Sequence, residues 1–379
     1  MNRNLLLVAL SLFTWGLGES LFLYFQPLYL QQLGADYVGI GGILGGVGVM
    51  LALTLIPTGI LCDKFGSRNI MWSSWFIGVI AAAMMAMANS LTVFIIAYLL
   101  YGMTGFGAIA MNVYVTSSRG NLSVGRTLTF ISGMYNLGAV IGPLVGGLVS
   151  DKLGFRSIYY IATAIFIIST IIILFVEKSE KVHPAEHNEP LPVRSFLKNP
   201  RFIFFLATLF ITVFVLYLPQ PFTPSYLQNQ HQLSPSTIGL MGSIANLGNA
   251  VATLVLGNIS ALAGMVIGQL WVAVFCGIFL FGKVPWIFGV GYFFVGGFRL
   301  YRAMVLAEAR TMVHPNQTGL LYGIIETINS FAIILAPIVA GILYKTTPTS
   351  MYTISLIAIL LLLVISFVIL RKNRQPINN

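Results

Sequence analysis

The sequence predicts an all-α membrane protein: twelve transmembrane helices in two six-helix bundles. Three observations carry that expectation: the composition, a row of apolar stretches of bilayer-crossing length, and an internal repeat. Of 379 residues, 57% are hydrophobic and only 8% charged, with a mean hydropathy of +0.90. Soluble domains carry about 25% charged residues. A chain this apolar lacks the polar side chains to wet a globular surface. That excludes a soluble enzyme, a nucleic-acid binder and a disordered scaffold. Cys62 and Cys276 stand far apart in apolar contexts, giving neither a disulfide framework nor metal-ligand spacing. No metal and no cofactor are expected.

A helix needs about 20 apolar residues to cross the hydrocarbon core. Stretches of that kind fall at 5–30, 38–62, 70–88, 91–117, 127–150 and 157–176, then at 202–226, 236–262, 264–282, 285–309, 318–343 and 351–370. They must be helices, because lipid supplies no partners for backbone N–H and C=O groups, and the short alternating segments of a β-barrel are absent. The first span carries Glu19 at its middle and lacks a small-residue cleavage site, so it reads as mature protein. Residues 177–201, proline-rich and with nine charges, read as a cytoplasmic linker between an N-terminal bundle (1–176) and a C-terminal bundle (202–379).

With the N-terminus inside the cell, the 20 Lys and Arg residues sort as 14 cytoplasmic, 4 outside (Lys152, Arg156, Lys283, Lys345) and 2 within the membrane, Arg299 and Arg302. This is the positive-inside pattern, so the net charge of +10 reports topology in a cell membrane with both termini cytoplasmic. The halves also repeat. A shift of 194 carries Phe94, Tyr98 and Gly102 onto Phe288, Tyr292 and Gly296, and Pro143 onto Pro337. A shift of 197 carries Phe25 and Pro27 onto Phe222 and Pro224. Repeated halves in one orientation are a recurring plan of secondary transporters, with the substrate near the midplane between them.

Between spans 2 and 3 the chain reads Gly59-Ile-Leu-Cys-Asp63-Lys64-Phe-Gly66-Ser-Arg68. This resembles the signature loop of the major facilitator superfamily. Gly59 allows close helix approach, Gly66 a tight turn, Asp63 can cap or pair between helices, and Lys64 and Arg68 hold the loop in the cytoplasm. Span 5 contains Gly138-x-x-x-Gly142-Pro143-x-x-Gly146-Gly147, similar to the fifth-helix motif of the drug and proton antiporter branch. Its small residues also suit plain helix packing. Asp151-Lys-Leu-Gly-Phe-Arg156 resembles the family's basic outer loop. One departure stands out: where the family's fourth helix often carries an arginine four residues before glycine, this chain has Tyr98 before Gly102. The resemblance implies the major facilitator fold, alternating access, and a cavity lined by spans 1, 4, 7 and 10.

Charged groups at membrane depth default to function, facing a wet cavity or a partner. Glu19 and Glu326 are the candidates for proton coupling. Trp15, Glu19, Phe22 and Gln26 share a stripe at helical spacing on span 1, and Arg299 and Arg302 are three apart on span 10. With Tyr98, Tyr292 and Asn329 they are the candidate substrate-binding residues, a guanidinium suiting carboxylate or phosphate. A static salt-bridge network is the structural alternative. The four histidines (183, 187, 231, 314) fall in loops without metal spacing, and no phosphate-binding loop suggests ATP. The expectation is a monomeric secondary transporter, coupled to protons, exporting small amphipathic or drug-like molecules. Alternatives are a carrier of an organic anion or lysolipid, a sugar carrier, and a non-transporting receptor on the same fold.

Overall fold

The computed structural model describes residues 2–120, 122–178, 200–256, 259–310 and 318–373. The expected linker therefore lies almost wholly outside the described residues, as do His183, His187 and His314 and the surroundings of Gly59. All regular structure among the described residues is helical. Eight described stretches are long and apolar enough to cross a bilayer, and Phe202–Tyr217 and Ser350–Val364 are shorter apolar helices.

The first six spans comprise α1 (Arg3–Leu23) with α2 (Gln26–Gln32), α3 (Tyr37–Phe65), α4 (Ser67–Met87), α5 (Leu91–Met103) with α6 (Phe106–Ser117), α7 (Val124–Leu153) and α8 (Phe155–Leu174). The last six comprise α9 (Pro200–Tyr217) with α10 (Thr223–His231), α11 (Pro235–Leu256), α12 (Ala261–Phe281), α13 (Pro285–Phe294) with α14 (Gly296–Arg310), α15 (Thr318–Thr346) and α16 (Ser350–Asn373).

The broken spans are the first, fourth, seventh and tenth, and the cause differs by pair. Spans 1 and 7 break before a proline at the second position of the new helix, Pro27 and Pro224, which has no N–H to continue the ladder. Spans 4 and 10 break beside glycines that let backbones touch. A Cβ at Gly102 would lie 2.9 Å from the Val47 carbonyl oxygen on span 2, and one at Gly296 would lie 2.9 Å from the Asn249 nitrogen on span 8. The two halves thus repeat in structure as well as sequence. Two hydrogen bonds repeat too: Tyr159 Oη with Gln26 Oε1 at 3.3 Å, and Tyr352 Oη with Thr223 Oγ1 at 3.1 Å.

By contact the chain separates into two compact units: residues 1–184 with 224–243, and 185–223 with 244–379. The expected C-terminal bundle therefore lends 224–243 to the first unit. There α1 is central, packed along its length by α7 and α8. The α7 seam is made of the span 5 motif. A Cβ at Gly138 would stand 2.7 Å from the Leu17 nitrogen, and one at Gly142 2.7 Å from the Leu17 carbonyl oxygen. Gly146 meets Leu21 and Phe25. Gly147 faces the opposite neighbour, the start of α11, with Ser236 Cα at 2.9 Å. Buried polar groups tie the unit further: the Trp75 indole N–H reaches Ser11 Oγ at 2.9 Å and Ser169 Oγ at 3.0 Å, joining α4, α1 and α8.

In the second unit α12 packs against α14 and α16, and α9 runs along α15. Its core is an aromatic cluster in which Phe279 meets Phe288, Tyr292 and Tyr352 at centroid distances of 5.0, 5.6 and 5.2 Å.

Candidate functional site

Glu19 sits one turn before the break in span 1 and is half-buried. The glycine seam draws α7 close enough for the Tyr135 hydroxyl to donate to Glu19 Oε2 at 2.8 Å. Tyr101, one turn before the break in span 4, comes within electrostatic reach of the same carboxylate, its buried hydroxyl making no closed hydrogen bond. One acid and two phenols thus meet where two spans lose their regular helix. Sequence spacing could not find Tyr135 or Tyr101, since both come from other helices.

The stripe expected to accompany Glu19 does not line an open face. Trp15 stacks on Phe166 at 4.2 Å and meets Trp75 at 5.0 Å, while Phe22 packs on Tyr101 at 5.2 Å and Tyr159 at 5.5 Å. Gln26 is buried and accepts from Tyr159. The helical face is real, but α8 and α5 cover it, so these three are core residues. Tyr98 and Tyr292 are likewise buried, the first against Phe94 at 6.2 Å and the second in the Phe275–Phe279 cluster.

The second unit brings together Arg302 on α14 and Glu326 on α15: Nη2 lies 2.6 Å from Oε2, with the two side chains 31% and 46% exposed. Asn329, fully buried, donates from Nδ2 to Glu326 Oε1 at 3.4 Å. Arg299 does not join them. Although three residues from Arg302, it is exposed and makes no ion pair with a described residue. Tyr217, which closes α9 at the break in span 7, packs on Phe298 at 5.4 Å and interacts electrostatically with Arg302. It too was invisible to sequence spacing.

In the signature loop Gly66 alone joins α3 to α4, at φ 84° and ψ 139°. Lys64 lies over Phe65 at 5.3 Å and Arg68 over Trp72 at 4.4 Å. Asp63, expected to cap or pair, is exposed without a partner among the described residues. Its sequence twin behaves otherwise. The hexapeptide Asp63-Lys-Phe-Gly-Ser-Arg68 recurs as Asp151-Lys-Leu-Gly-Phe-Arg156. Gly154 makes the same one-residue joint at φ 81°, and Arg156 lies over Tyr160, four residues on, as Arg68 does over Trp72. Here Asp151 Oδ2 accepts from the Ser236 backbone N–H at 3.0 Å, capping α11.

The broken spans, glycine seam and signature loop agree with sequence comparison, in which the Major Facilitator Superfamily profile matches residues 8–265 and 208–379. The chain belongs to the Major Facilitator Superfamily. It is therefore a multi-pass membrane protein of a superfamily whose members are transporters and not enzymes. The multidrug resistance protein MdtG of Escherichia coli is 29% identical over 224 residues, 56% of this chain and 54% of its own length. The MdtG of Escherichia fergusonii is 30% identical over 226 residues, 57% and 54% respectively. The chain thus matches about half the length of these curated relatives. Among solved structures, the nucleoside transporter NupG superposes with a TM-score of 0.79 at 16% identity, over 98% of this chain and all of its own. The human organic anion transporter MFSD10 gives 0.68 at 17%, over 96% and 99%. At such identities the likeness shows the fold of this superfamily member and nothing finer.

Proposed function

We propose that this superfamily member is a proton-coupled exporter of small amphipathic or drug-like molecules, working by alternating access with both termini in the cytoplasm. The observation that carries the reading is Glu19 at a helix break, half-buried and bound by Tyr135 Oη at 2.8 Å. A carboxyl group at membrane depth is costly unless it exchanges with water or a partner, and non-helical backbone there is tolerated only inside protein or beside a water-filled cavity. Glu19 has both features beside it. It takes up a proton from one side and releases it to the other, while the rocking halves carry substrate the opposite way. The likeness to multidrug resistance proteins supports the substrate class.

The experiment is transport in everted membrane vesicles energised by a proton gradient. Glu19→Gln should fold, bind substrate and lose the dependence of transport on that gradient. Gradient-driven efflux unchanged in Glu19→Gln would remove Glu19 from the mechanism.

A further inference from the structure

The Arg302–Glu326 pair is not built like a static strut. A guanidinium held for structure at membrane depth is expected to saturate its fork, bidentate and shielded, because both ions have left water. Here a single Nη2–Oε2 contact of 2.6 Å holds a pair that is 31% and 46% exposed. Arg302 Nε is buried with no partner, and so is Asn329 Oδ1 beside Glu326. The charges do not balance either, since Arg299, one turn before Arg302, is exposed and unpaired among the described residues. The guanidinium lies over the Phe298 ring at 5.9 Å, and Tyr217 packs on that ring at 5.4 Å.

We infer that Arg302 and Glu326 form a proton-gated site for an organic carboxylate, in which the Glu326 side chain occupies the guanidinium until the ligand's own carboxylate replaces it. The exchange balances. Glu326 takes up one proton from the buffered aqueous phase and becomes neutral; its ion pair with Arg302 opens; the ligand's carboxylate bonds to the freed guanidinium, using the Nε edge now idle. One proton and one anion bind together, so the net charge of the site is unchanged. Asn329 suits both states of Glu326, because an amide donates through nitrogen to a carboxylate and accepts through oxygen from a carboxylic acid. The aromatic rings suit a ligand with an aromatic body.

The helices packed against α15 are α9, α14 and α16. Their titratable and charged groups with described side chains are Tyr217 on α9, Arg299, Tyr301, Arg302, Glu308 and Arg310 on α14, and Tyr352 on α16. Tyr322, Tyr344 and Lys345 share α15 with Glu326. Among described residues, only Arg302 forms an ion pair with Glu326. The inference rests on the chain carrying small organic molecules, and not on Glu19 being the coupling acid.

The test is calorimetric titration of benzoate into the full-length protein in lipid nanodiscs, near neutral pH, in two buffers of different ionisation enthalpy. The wild type should take up about one proton per benzoate bound, and neutral benzamide should not bind. Glu326→Gln, its guanidinium no longer occupied, should bind benzoate about tenfold more tightly with no proton uptake. Arg302→Gln should not bind, and Arg302→Lys, charged but without the fork, should bind more weakly. Benzoate binding is read without a proton gradient and compared only among Arg302 and Glu326 variants, so failure of the efflux reading leaves this one standing. The inference is overturned by absence of benzoate binding to both the wild type and Glu326→Gln, by binding without proton uptake in the wild type, by equal binding in Arg302→Gln, or by weaker binding in Glu326→Gln.

Discussion

Gly142→Ala tests whether the glycine seam between α1 and α7 is a close backbone contact that one methyl group disrupts. The new Cβ would stand 2.7 Å from the Leu17 carbonyl oxygen and 2.9 Å from Ser20 Cβ. Ordinary C···O contacts are about 3.3–3.6 Å, so the helices must part locally by about 0.6 Å or more. Ser20 cannot simply swing aside, because its hydroxyl donates to the Gly16 carbonyl at 2.6 Å. Overpacking of this kind costs about 1–3 kcal/mol. Alanine recovers about 0.5–1 kcal/mol of that through its better helix propensity, leaving a net loss centred on about 1 kcal/mol and at most about 2.5 kcal/mol. Gly133 provides the internal control, since on the same helix a Cβ there meets nothing within 4 Å. Gly133→Ala should be neutral or slightly stabilising. The assay is thermal unfolding of both variants in the same detergent, where Gly142→Ala should melt a few degrees below Gly133→Ala. Equal melting of the two, or the reverse order, would show that the seam yields freely. The reach of Tyr135 to Glu19 would then need another explanation.

Two further outcomes follow from contacts within the first unit. Asp151→Ala removes one of two side-chain acceptors at the start of α11, leaving Ser234 Oγ on the Thr237 N–H, and should cost about 0.5–1 kcal/mol, while Asp151→Asn keeps an acceptor and most of the stability; melting temperatures distinguish them, and Asp63→Ala should cost less than Asp151→Ala. Trp75→Phe removes the indole N–H that bonds both Ser11 and Ser169; the loss should be about 1–2 kcal/mol, read by thermal unfolding beside a Trp286→Phe control at an exposed position.

Much of this fold is legible in the sequence because the bilayer imposes one demand, about 20 apolar residues in helical conformation. The breaks were marked as well, by Pro27, Pro224, Gly102 and Gly296, but a proline or glycine does not announce a break. Pro57, Pro143 and Pro337 all lie inside continuous helices. The site is less legible. Spacing places Trp15, Phe22 and Gln26 on one face with Glu19, yet it does not say whether that face meets a helix or an opening. Residues three apart point about 60° from one another, enough for Arg302 to reach Glu326 while Arg299 turns outward. The partners that define each site, Tyr135 for Glu19 and Tyr217 for Arg302, arrive from distant sequence, and no local pattern encodes that pairing.

The twin hexapeptides carry the argument one level deeper than the two halves. They stand 88 residues apart, a spacing that relates three spans to the next three within one bundle. Three crossings bring the chain to the opposite face, so the same joint appears once on each side of the membrane, the geometry of an inverted repeat. The two joints share four of six residues, a glycine at positive φ and an arginine lying over an aromatic ring four residues on, yet their aspartates differ. Asp151 caps α11, whereas Asp63 is exposed without a described partner. The difference lies in what each joint meets: the start of α11 at Asp151, and no described residue at Asp63.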